Sequence, residues 1–280
     1  MRRRFVSVTV VGVSLLLLFS LTALAQGGGQ RNPAGRNDAP PPAPPDNRPF
    51  DPKDLSGFFI RNTVRPREAP PLTPAGKKAM EGRIPDEAAK FPTDQNDPMY
   101  RCNPQGFPRL VWEENEPIEI VILPNRILQL FQWERTLREL WMDGRALPSG
   151  DNLENLGPAW YGHSVARWEG NTLVVETTGV DPRAWLDEYA HPKSFHAKFE
   201  ERFTRISYDI IEGQLTINDP ESFTKPWVHP KSQFRRMPDR SVTFFGWKGL
   251  FSGVTDGICA PANEIDDFNK RIRDPAVFGK

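Results

Sequence analysis

From Pro117 onward, apolar and polar residues alternate in short runs broken by turn residues. Ile118, Ile120 and Ile122 alternate ahead of Pro124-Asn125, and Ile127 to Trp133 and Leu137 to Met142 follow, closed by Asp143-Gly144. His163 to Trp168 is joined through Glu169-Gly170-Asn171 to Thr172 to Thr177. Further runs cover Phe199 to Ile206, Ile210 to Ile217, Ser232 to Met237 and Val242 to Trp247. Segments of this length, with residues alternating between two faces and turn signals between them, predict β-strands. No strand–helix–strand alternation interrupts them. The pattern therefore predicts an all-β fold, an antiparallel barrel as first choice and a β-sandwich as second. Short helices are expected only at the periphery. Thr73 to Glu81 is one, with Thr73 as N-cap and Pro74 in its first turn, and Glu264 to Arg271 is another.

The strand faces are mixed. His163, Val165 and Arg167 share one face of their strand, and Ser164, Ala166 and Trp168 share the other. Further on, Glu201, Phe203 and Arg205 share a face. A dry sandwich core gives cleaner alternation, whereas a barrel can hold polar groups on its inward face around water or a ligand. A register displaced by one residue would give the same mixture.

Composition divides the chain. Arg2, Arg3 and Arg4 precede an apolar run ending in Ala23-Leu24-Ala25, the arrangement of a secretory signal peptide over residues 1–25. Residues 26–53 are rich in Pro, Gly, Asn and Arg, with Pro40-Pro41-Pro42-Ala43-Pro44-Pro45 at their centre, and predict a disordered linker. The β domain is expected over residues 54–262 and a charged tail over 263–280. Residues 60–110, rich in proline and charge, are expected to wrap the outside of the domain. Of the chain's 29 prolines, many punctuate strands.

The formal charge is zero, with 36 basic and 36 acidic residues. Without the three leading arginines the balance is slightly acidic, which argues against a nucleic-acid partner, since phosphates require a basic face. No second apolar run is long enough to span a bilayer once a signal is removed. The expected location is the periplasm or the exterior. There the two cysteines, Cys102 and Cys259, can pair, and closing so long a loop would stabilise by about 4–5 kcal/mol; two separate thiols are the alternative.

Three constellations could carry chemistry. His163, Arg167, Glu176, Glu201 and Arg205 come from strands that could be neighbours and could form a polar cluster in an aromatic-lined cavity, with Trp141 and Trp168 among the lining. Such a cluster could bind a ligand headgroup, or His163 could act as acid and base beside Asp187 or Glu201. An internal salt-bridge network is the alternative, and the tryptophans fit plain core equally well. Gly162-His163-Ser164-Val165-Ala166 approximates the nucleophile elbow of serine hydrolases, but strand, turn and strand follow it where an elbow needs a helix. The four histidines, His163, His191, His196 and His229, match no regular metal-ligand spacing, so neither a metal nor a cofactor is expected.

The segments Arg101 to Arg109 (RCNPQGFPR), Ile118 to Trp133, Glu139 to Pro148 (ELWMDGRALP), Trp160 to Gly179 (WYGHSVARWEGNTLVVETTG), Trp185 to Phe203 and Ile217 to Trp227 together resemble a group of exported bacterial β-rich proteins. The resemblance covers roughly residues 54–250 and carries no activity with it. Relatives often have an acid and a His where this chain has Phe195 and Lys198, so any chemistry those two residues perform would be altered here. Asp54-Leu55-Ser56-Gly57-Phe58-Phe59 also resembles the opening strand of lipocalin-type barrels, with Phe59 in the place of a Trp; the resemblance implies a calycin-like barrel.

These readings converge on an exported β-barrel protein that binds a small, largely apolar or aromatic ligand in the barrel. An enzyme, a hydrolase or isomerase using His163 with a carboxylate, is the second reading, and an envelope structural protein is the third. Nothing in the sequence sets the oligomeric state.

Overall fold

The structure, a computed structural model, describes residues 47–62, 66, 68–91, 94–113 and 117–237. The expected signal, most of the linker, the strand at Val242 to Trp247, the helix at Glu264 to Arg271 and the tail lie outside the described residues. Among the described residues ten strands are present: β1 (Gly57–Asn62), β2 (Ile118–Leu123), β3 (Arg126–Phe131), β4 (Leu137–Trp141), β5 (His163–Glu169), β6 (Thr172–Thr178), β7 (Lys198–Arg205), β8 (Ile210–Asn218), β9 (Trp227–Val228) and β10 (Ser232–Arg236). Three short α-helices accompany them among the described residues, α1 (Pro74–Met80), α2 (Arg109–Trp112) and α3 (Asp151–Leu156).

Strands β1 to β8 pair in sequence order, and β10 joins β1 to β8, so nine strands close into a barrel. Closure removes the unpaired edges an open sheet would expose. β9 pairs with the far end of β8. Local chemistry fixes the hairpins. Leu123 pairs with Arg126 across Pro124-Asn125, and Glu169 pairs with Thr172 across Gly170-Asn171. Gly170 sits at φ +61°, the left-handed conformation that a tight two-residue hairpin demands.

One seam departs from the antiparallel barrel expected from sequence. β4 and β5 run parallel and share a single pairing, Trp141 with Val165. Parallel neighbours need a crossover of a dozen or more residues. Residues 142–162, carrying α3, supply it, so Asp143-Gly144 opens a crossover rather than a hairpin.

α1 forms as the sequence predicts, Thr73 Oγ1 accepting from the Gly76 N–H at 3.0 Å. The segment leading to α2 does not wrap the outside. Phe107, Leu110, Val111 and Trp112 are all buried and belong to the barrel core. Trp112 stacks on Phe203 at 5.7 Å and meets Phe234 edge-on at 5.8 Å, while Phe107 meets Phe199 edge-on at 5.0 Å. Gly213 of β8 makes room for this plug, because a Cβ there would lie 2.9 Å from Trp112. At the end of β10, Arg236 covers the Phe59 ring at 4.8 Å and donates to the Ser56 carbonyl at 2.8 Å.

A pocket inside the barrel, between Leu55, Ile118, Ile127, Leu140, Phe203 and Phe234, has a volume of about 10 Å³. That is room for one water molecule at most. No helix among the described residues is long and apolar enough to cross a membrane.

Candidate functional site

The polar cluster expected inside the barrel divides across its wall. Strand register sets the division: Ala166 pairs with Val175 and Val175 with Glu201, which puts these three on the inner face. Three residues from Ala166 along the same strand, His163 faces outward. Arg167 and Glu176 also face outward, form an ion pair on the surface and are about half exposed. Trp168 faces inward and packs against the core. Arg205 is inward and buried, but its guanidinium donates to the carbonyls of Asp54, Ser207 and Tyr208.

Glu201 is fully buried and its partner is Arg138 of β4. Nη2 of Arg138 donates to Oε2 at 2.6 Å and Nη1 to Oε1 at 3.2 Å. Arg138 also donates to Gln129 Oε1, Ser164 Oγ and Thr177 Oγ1, and Trp112 Nε1 donates to Glu201 Oε1 at 2.9 Å. Buried charges of opposite sign, paired and hydrogen-bonded to their neighbours, form a structural network rather than a catalytic pair. Ser164 of β5 belongs to it, held at 2.9 Å by Thr177 of the neighbouring β6, and so is not a nucleophile on an elbow. The sequence signal that could have identified Arg138 is its place beside Leu140 on the inward face of LRELW.

The pairing of His163 with Asp187 or Glu201 is therefore not formed. His163 donates from Nε2 to the Gly157 carbonyl at 3.1 Å. Asp187 is buried and bonds instead to His191, Oδ2 lying 2.5 Å from Nδ1. Asp187 Oδ1 accepts from the backbone N–H groups of Tyr189 and His191 at 3.0 Å each. Burial, with Arg83 next in weight, lowers the nearby Lys193 amine to about 7. Burial also lowers His229 to about 4. Cys102 is disulfide-bonded, and Cys259 lies outside the described residues. Phe195 meets the His196 ring edge-on at 5.0 Å, and Lys198 is exposed at the start of β7.

Two residues singled out by sequence, Trp141 and His163, do come together, in a cleft of about 430 Å³ on the outer face of the barrel. The parallel seam builds it: β4 and β5 diverge beyond their single pairing, and the crossover lies over the gap. Trp141, Trp160, Tyr161 and His163 supply its aromatic walls, Leu137 and Leu156 its apolar rim, and Arg138 and Ser164 show through the seam at its floor. Arg145 lies 3.8 Å over the Trp141 ring and Arg183 lies 4.5 Å over Trp160. Each lining charge already has a partner: Arg145 has Asp143, Glu139 has Arg126 and Arg138 has Glu201.

Compared with protein-family models, curated proteins and solved structures, the chain matches none significantly.

Proposed function

We propose that this chain is an exported binding protein for a small, uncharged, largely apolar or aromatic ligand, held in the cleft beside the β4–β5 seam rather than inside the barrel. The cleft carries the reading. Its volume of about 430 Å³ falls within the range of small-molecule sites, whereas the pocket inside the barrel beside Leu55, Leu140 and Phe234 is about 10 Å³. Aromatic faces on both walls suit a planar ligand. Because the lining charges are pre-paired, a charged ligand would have to break an existing ion pair, and a neutral one would not. Tyr161 and His163 can orient such a ligand by hydrogen bonding. Export is supported by the N-terminal arginines, apolar run and small-residue site, and by a disulfide at Cys102, since such bonds persist in oxidising compartments. The resemblance to exported bacterial β-rich proteins agrees with it.

Calorimetric titration with 1-naphthol as a neutral aryl probe tests the cleft. Saturable binding is expected, weakened about tenfold or more in Trp141→Ala. Equal binding by Trp141→Ala, or none by the parent chain, overturns the assignment.

A further inference from the structure

The structure assigns a second site, distinct from the cleft: we infer that His191 is a general base that activates water against a neutral carboxylic ester, with Asp187 as its positioning residue. The geometry is that of an oriented imidazole. Asp187 is 1 % exposed and holds His191 Nδ1 at 2.5 Å, which fixes the proton on Nδ1 and leaves Nε2 as the basic nitrogen. The carboxylate is itself fixed by two backbone N–H groups. Ala190, between them, sits at φ +68°, a left-handed conformation that a non-glycine residue adopts only where its surroundings hold it. Arg83 Nη1 donates to the carbonyls of Ala190 and His191 at 3.1 Å each, bracing the same loop from outside.

His191 Nε2 makes no hydrogen bond among the described residues, and the side chain keeps 13 % of its exposure. A His bonded on both nitrogens would be inert structure; this one has a free lone pair that solvent can reach. Its surroundings set the substrate class. Tyr189, half-buried, and Phe223 and Trp227, both buried in the core, pack around the ring at 6.4, 6.4 and 5.4 Å, and these apolar surroundings favour a neutral substrate. The charged and titratable groups around it include Asp187, Arg83, Tyr189, Lys193 and, across Trp227, His229. No hydroxyl or thiol among the described residues is hydrogen-bonded to Nε2, so water is the nucleophile.

The step balances without a further reactant. Nε2 takes a proton from water as the water oxygen bonds to the acyl carbon. The carbon–alkoxy bond then breaks, and the imidazolium returns its proton to the departing alkoxide, giving a carboxylic acid and an alcohol.

The test is hydrolysis of p-nitrophenyl acetate and butyrate by the full chain. Expected are a kcat/KM that rises with pH through one ionisation, a fall of about a hundredfold or more in His191→Gln, and a comparable fall in Asp187→Asn. Product release should show no burst, and no acyl adduct should appear by mass spectrometry. Saturating 1-naphthol should leave the rate unchanged, which separates this site from the cleft. A folded His191→Gln with undiminished rate, or a covalent acyl adduct, overturns the inference. Should His191→Gln not fold, the parent chain still decides: a rate no greater than that of an equal concentration of free imidazole overturns it, and a larger rate that falls in deuterium oxide, as proton transfer to a general base in the transition state requires, supports it.

Discussion

Arg138 and Glu201 face each other through the inside of the barrel, Nη2 to Oε2 at 2.6 Å, with side chains 2 % and 0 % exposed. Each charge is tolerable there only because of the other. Glu201→Gln leaves a guanidinium buried without its counter-charge and should cost about 3–5 kcal/mol. Replacing both, as Arg138→Met with Glu201→Leu, should be less destabilising than either single change, because the desolvation penalty disappears with the charges. Urea midpoints of Glu201→Gln, the two single changes and the double variant check this.

The Trp112 plug depends on a missing side chain. An ideal Cβ on Gly213 would lie 2.9 Å from both Trp112 Cη2 and Phe234 Cε2. Gly213→Ala should therefore cost about 1–3 kcal/mol by overpacking. Adding Trp112→Phe, which withdraws one of the two crowding rings, should restore part of the loss even though Trp112→Phe alone destabilises. Non-additive thermal midpoints across this double-mutant cycle are the expected result.

Much of the barrel was legible because alternation is a local property. Phe199, Glu201, Phe203 and Arg205 read as one face and form one, and the two-residue turns at Pro124-Asn125 and Gly170-Asn171 carry their own chemistry. Strand direction has no such signature. LRELW reads the same in a parallel or an antiparallel pair, so the β4–β5 seam, and the cleft it opens, was invisible. Nor does alternation say which residues of different strands meet. His163 and Glu201 both looked available for one cavity, until register placed them on opposite sides of the wall. The Phe107 to Trp112 plug is too short to show any period. Asp187 and His191 are four apart, a helical spacing, yet they meet through a loop closed by backbone hydrogen bonds that no pattern announces.

Acid should weaken this fold through His229. Its ring is 4 % exposed, and burial holds its pKa at about 4, below the ordinary 6.5. The unfolded chain therefore binds the proton more readily than the folded one, and stability falls as pH drops from about 6.5 to about 4. The full difference corresponds to about 3 kcal/mol. Urea midpoints between pH 7 and 4 should decline accordingly. In His229→Leu the decline over that window should shrink, whatever the variant's stability at pH 7.

His196 should act with the opposite sign, and on the wall of the cleft. Its Nδ1 lies 2.8 Å from Glu221 and its Nε2 lies 2.8 Å from Glu154 of α3, so both contacts are satisfied at once only by the imidazolium. The hydrogen bond to Glu154, then that to Glu221, raises its pKa above the ordinary value. A raised pKa gives a contribution fully present below the unfolded value near 6.5 and lost as pH rises through the folded one. The ring is 55 % exposed, so the effect on global stability is small. Its local effect falls on α3, whose C-terminal Leu156 lines the cleft and whose following Gly157 carbonyl accepts from His163. Amide hydrogen exchange over residues 151–157, corrected for intrinsic rates, should therefore be slower at pH 6 than at pH 8.5. In His196→Gln that pH dependence should vanish, leaving the faster rate at both.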